Sequence, residues 1–131
     1  MVKRAWFRTL LLVGVTYGLI GWLFALPATD VRVWRFAAWL VSLALYAAHI
    51  GYEHFKLRSS LRGTATHVAV AVAIGACCLV VVGILHDLWT VSTIRPAWLI
   101  ALIVLPAGTA APAFLGGLIA GATLRRFPRC A

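Results

Sequence analysis

Ser42, Tyr46, His49, Glu53 and Lys56 follow one another at spacings of three and four residues, and Arg35 and Trp39 extend the line toward the N-terminus. Such spacings place side chains on one face of a helix. This face joins a phenol, an imidazole and a carboxylate, groups that hold and release protons or bind a small polar ligand. Histidine suits proton exchange in particular, because modest changes in its surroundings move its protonation across neutral pH. A second histidine, His67, follows after a short connection, and folding the chain back about that connection brings it level with Glu53.

Three kinds of site fit these residues. In the first, Tyr46 and His49 contact a small polar solute, an ion or a proton, Glu53 carries the charge coupled to it, and His67 tunes Glu53. In the second, the seam is glue between helices, with Glu53 paired to Lys56 and His67 donating to a loop carbonyl. Interhelical polar contacts of that kind contribute about 1 kcal/mol each, and the protein is then an accessory or assembly subunit of a larger membrane complex. In the third, His49, Glu53 and His67, joined by His54, hold a haem iron or a metal ion. Only one of the four histidines sits well inside an apolar stretch and no His-x-x-x-His repeat is present, so neither cofactor nor metal is expected.

Enzymatic group transfer finds less support. There is no GxSxG, no HExxH and no glycine-rich phosphate loop. The acids number three, Asp30, Glu53 and Asp87, and the first and last fall at the opposite end of the apolar stretches from Glu53. No enzymatic activity is expected. Cys77 and Cys78 are adjacent in an apolar stretch and Cys130 lies in the tail, a pattern that makes neither a redox pair nor a zinc site.

The elements that position the seam are set by composition. Of 131 residues, 63% are hydrophobic and 11% charged, and the mean hydropathy is +0.99. A soluble domain carries about 25% charged residues. Four apolar stretches, near 6–25, 33–55, 64–85 and 97–124, each reach the ~20 residues that cross a hydrocarbon core. A polar face on such a span is costly in lipid and so must be covered by protein or face a cavity.

The net charge of +9 reads as topology rather than nucleic-acid binding. Nine basic residues (Lys3, Arg4, Arg8, Lys56, Arg58, Arg62, Arg125, Arg126 and Arg129) flank one side of the spans, against Arg32, Arg35 and Arg95 on the other. That asymmetry places both termini in the cytoplasm of a cell (inner) membrane, where the basic flanks attract anionic headgroups. The first span resembles a secretory leader ending near Pro27 and Ala28. Cleavage after Ala28 or Ala25 would put Leu26 or Leu23 where a small residue is needed, so it is read as an uncleaved helix.

Packing signals complete the expectation. Gly14 and Gly18, and later Gly117 and Gly121, form small-residue faces that admit close helix approach, to another span, a second copy or a partner complex. Tyr17 falls at the depth of Ser42 and is expected to pair with it. Pro106 and Pro112 interrupt the last span around Gly108, where missing N–H groups free the carbonyls of Leu102 and Gly108. Register estimates place this break in the layer of Tyr46 and His49, beside a small polar cavity. The sequence thus predicts a single all-α membrane domain over 1–131: four transmembrane helices in an up-down bundle, the fourth kinked or broken at Pro106–Pro112.

Overall fold

The computed structural model describes residues 2–26 and 29–126, with side chains from Trp6 onward and excepting Val91. Pro27, Ala28, Arg129 and Cys130 lie outside the described residues. The described residues form four helices and no strands: α1 (Val2–Leu23), α2 (Val31–Phe55), α3 (Leu61–Val91) and α4 (Pro96–Leu124). All four are long and apolar enough to cross a membrane.

Helix α3 begins before its apolar run and ends after it. Ser60 caps its start, accepting the Gly63 N–H at 3.1 Å and satisfying a donor that the first turn leaves open. At the other end His86, Asp87 and Thr90 continue the helix until Ser92, whose left-handed φ of 56° ends it. Pro96 opens α4, where its fixed φ suits the first turn.

The break expected in α4 is absent: one helix of 29 residues runs through Pro106 and Pro112. Two prolines remove two hydrogen bonds, whereas unwinding the segment in an apolar setting would forfeit the whole local ladder. Gly108 and Pro112 are exposed, whereas Pro106, Thr109 and Ala110 are half-buried, so only one side of this part of α4 faces away from the other helices.

Helix α3 is the centre of the molecule. Its Ala65, Val68, Ala69, Ala71, Ala76 and Val80 make most of the buried core, joined by Leu10 of α1 and Ile50 of α2. A Cβ on Gly14 would fall 2.7 Å from Ile74, and one on Gly18 would fall 2.6 Å from Cys78. Across α3, a Cβ on Gly117 would lie 3.0 Å from Ala65 Cα, and one on Gly121 would lie 2.6 Å from Leu61. Both small-residue faces therefore meet α3 and neither meets the other. Residue numbers rise together along α1 and α3 and run opposed along α3 and α4.

Helix α2 is held differently. Val33, Phe36, Trp39 and Leu43 are all more than 60% exposed, and the helix buries only His49, Ile50, Glu53 and His54 near its end. The seam is consequently covered by degrees. Arg35 and Trp39 are uncovered, Ser42 and Tyr46 half-buried, His49 and Glu53 buried, and Lys56 exposed again.

Candidate functional site

The buried end of α2 meets the start of α3 through a short connection that curls back on itself. Arg58 takes a left-handed φ of 51°, and the Ser59 N–H reaches the Glu53 carbonyl at 3.2 Å. A non-glycine residue in that conformation costs about 1 kcal/mol or more. The turn returns Ser59 to the carboxylate: its hydroxyl donates to Glu53 Oε2 at 2.6 Å.

Glu53 is 0% exposed, and among the described residues its side-chain partners are groups that can themselves change their proton count or turn their hydroxyl. His67 Nδ1 lies 3.1 Å from both carboxylate oxygens. His49 Nε2, one turn earlier on α2, stands 3.8 Å from Oε1. Trp6 of α1 stacks on the His67 ring, centroids 4.7 Å apart and planes 3° from parallel. The Glu53–Lys56 pairing that the glue reading expects does not form: Lys56 is exposed, and among the described residues Glu53 pairs with two histidines.

The two histidines differ in their surroundings. His67 keeps 22% of its side chain exposed and so links the carboxylate to the protein surface. His49 is 3% exposed, and neither ring nitrogen has a hydrogen bond. It lines a cavity of about 290 Å³ between Thr9 and Val13 of α1 and Leu45, Ala48 and Tyr52 of α2. This wall is largely apolar and includes no residue of α4, unlike the polar cavity expected beside Pro106–Pro112.

The remaining seam residues have separate roles. Tyr46 donates to the Ala113 carbonyl of α4 at 2.6 Å. Gly116 makes room for it, since a Cβ there would fall 2.7 Å from the phenol oxygen. Its hydroxyl thus bolts α2 to α4, one residue past Pro112. Tyr17 packs its Cβ over Gly75, and its hydroxyl is buried with no partner, so the expected pairing with Ser42 is not made. His54 is buried against the edge of Phe55, 4.9 Å between ring centres. Among the described residues no three His, Cys, Asp or Glu side chains are arranged to hold a metal ion. His49 and His67 converge instead on one carboxylate.

A second buried acid lies at the opposite end of α3, in a cluster that sequence reasoning missed. Asp87, 2% exposed, accepts from Arg95 Nε and Nη2 at 2.6 Å each and from Trp98 Nε1 at 2.5 Å. The carboxylate in turn holds the Arg95 guanidinium above its ordinary range. Gly83 leaves the space that the Trp98 ring occupies. The signal was an acid and a base flanking one short turn, with an indole one helical turn beyond the arginine. Ser59 and Trp6 were missed as well, the first hidden in a connection and the second far away in sequence.

No family model, curated protein or solved structure matches this chain.

Proposed function

We propose that this chain is a small integral membrane protein that binds a proton at Glu53 and exchanges it with the aqueous edge through His67 and with the α1–α2 cavity through His49. The observation that carries this is the company of Glu53. A buried carboxylate normally has a fixed cation beside it. Here it has two imidazoles and a serine hydroxyl. With both histidines neutral the cluster bears one negative charge, and a single added proton brings it to zero. The three groups stand in a line, His67–Glu53–His49, along which that proton can be shared.

The rest of the reading follows the charge pattern. Four spans traverse up and down with both termini cytoplasmic in the cell (inner) membrane, and Glu53 lies in the cytoplasmic half. Pro106 and Pro112 give α4 a place to bend. The protein is not an enzyme and carries no resident cofactor on this view, and it contacts anionic headgroups through its basic flank. A transport role, in which the proton moves with a small polar solute, uses the same residues.

A second reading is favoured by α2, none of whose residues from Val31 to Ala48 is buried by the rest of the chain. A partner helix, from a second copy or a larger membrane complex, fits along Arg35, Trp39 and Ser42, and the protein then serves as an accessory subunit.

Infrared difference spectra of the protein in nanodiscs, with the pH stepped between about 4 and 9, test the proton site. Carboxylic-acid and imidazole bands should change reversibly, and the Glu53 share should vanish in Glu53→Gln. With three acids in the chain, assignment needs few variants. Spectra in which Glu53→Gln removes nothing would overturn the proposal.

A further inference from the structure

The end of the molecule that holds Glu53 presents only cations at its exposed surface. Among the described residues its one acid is Glu53 itself, fully buried, whereas Lys56, Arg58, Arg62, Arg125 and Arg126 are exposed and none of them makes an ion pair. The opposite end answers its exposed Arg95 with Asp87.

Three of these arginines come from separate segments and reach one edge. A Cβ on Gly117 would meet Ala65 and one on Gly121 would meet Leu61. One further turn therefore carries α4 past the start of α3 and sets Arg125 level with the connection at Leu57 and Arg58, while Arg62 follows directly on Leu61. The apolar spans end at Phe55, begin again at Leu61 and end at Leu124. The edge thus lies just outside the hydrocarbon, at the depth of lipid phosphates, and guanidinium forks match phosphate oxygens.

The same edge is one residue from the buried carboxylate's support. Arg58 holds a left-handed φ of 51°. Ser59, next in the chain, donates its N–H to the Glu53 carbonyl and its hydroxyl to Glu53 Oε2. An anion on the Arg58 guanidinium that binds this turn better than an open one shifts the segment toward it.

We propose that Arg58, Arg62 and Arg125 bind the phosphate of one anionic phospholipid, and that this lipid orders the turn holding Ser59 on Glu53. The proposal rests on the proton-exchange reading only in what the ordered turn serves; binding and ordering need no proton movement. A diffuse basic flank would draw anionic lipid equally to every exposed cation, whereas this edge singles out three.

Backbone amide exchange at Ser59 is the test, in nanodiscs whose phosphatidylglycerol content rises from none to half at the expense of phosphatidylcholine. Exchange should slow as phosphatidylglycerol is added and then level off. Arg58→Gln, Arg62→Gln and Arg125→Gln should each raise the content giving half the effect by about fivefold. Arg8→Gln, which loses the same charge on α1 across α3, should leave it unchanged. Arg62 and Arg125 lie outside the turn, so their variants decide the matter should Arg58→Gln disturb the turn itself, and thermal melts confirm that each is folded. Exchange indifferent to phosphatidylglycerol overturns the proposal. So does an equal shift in Arg8→Gln, which would mean attraction by net charge alone. Equal slowing by inorganic phosphate in phosphatidylcholine discs overturns it too, by making the ligand a soluble anion. Glu53 infrared bands without the lipid effect would sink this proposal alone, and the lipid effect without those bands would sink the proton-exchange reading alone.

Discussion

The two buried acids of this protein sit at opposite ends of α3 and are satisfied in opposite ways. Asp87 is gripped by a bidentate arginine and an indole N–H at 2.5–2.6 Å. Arginine stays charged at any relevant pH and its fork matches a carboxylate, so this cluster has one charge state and one geometry. Among the described residues Glu53 is held by a serine and two imidazoles, at 2.6, 3.1 and 3.8 Å, none of them a permanent cation. The Asp87 cluster ties α3 to α4 and does nothing else that its chemistry allows. The Glu53 cluster ties α2 to α3 with groups whose proton count can change. A buried carboxylate is therefore informative through its partners rather than through its burial.

The difference can be broken most sharply at Asp87. Asp87→Ala removes a charged acceptor from two partners and leaves the Trp98 N–H unpaired, which should lower stability by about 3 kcal/mol, read as a drop in the melting midpoint by circular dichroism. A loss below ~1 kcal/mol would mean that the outer cluster is not the stronger tie. Trp6→Ala strips the stacked ring from His67 and should cost about 1 kcal/mol, read from the same melts. Glu53→Gln should be milder still in stability, under ~1 kcal/mol, because an amide still accepts from Ser59 and meets His67. On the proposed reading its effect falls on proton exchange, and a melt as damaging as that of Asp87→Ala would make Glu53 a strut like its counterpart. Salt provides the finest discrimination. Raising it from about 0.1 to 1 M shortens the screening length from ~10 to ~3 Å, which should trim a few tenths of a kcal/mol from the Arg95 pair, two-thirds exposed, and leave the Glu53 cluster unchanged.

Much of this was legible in the chain before any coordinates. The spacings of Ser42, Tyr46, His49 and Glu53 name one helical face, and the brevity of the next connection brings His67 to it. The apolar runs locate all four helices, although α3 outlasts its run because polar His86 and Asp87 remain helical. What stayed hidden depends on which helices are neighbours. Trp6 reaches His67 only because α1 lies beside α3, and Tyr46 leaves the seam because Gly116 opens a place for its hydroxyl. That α4 runs unbroken through its prolines has a different reason: the surroundings penalise an open backbone more than two missing donors.

The tie between Glu53 and His67 also bears on how the chain enters the bilayer. The partners are 14 residues apart, so at synthesis rates of ~5–20 residues per second the acid precedes its base by roughly one to three seconds. During that interval α2 presents a carboxyl to the translocation machinery with only His49, one turn earlier, beside it. Helix α2 is expected to insert together with α3 as a hairpin, or to insert alone with its acid neutralised. A chain truncated after Lys56 should therefore integrate less efficiently in a glycosylation-mapping assay than one extended through Val91, and Glu53→Leu should erase that difference. Equal integration of the two lengths would show that the acid places no demand on the order of assembly.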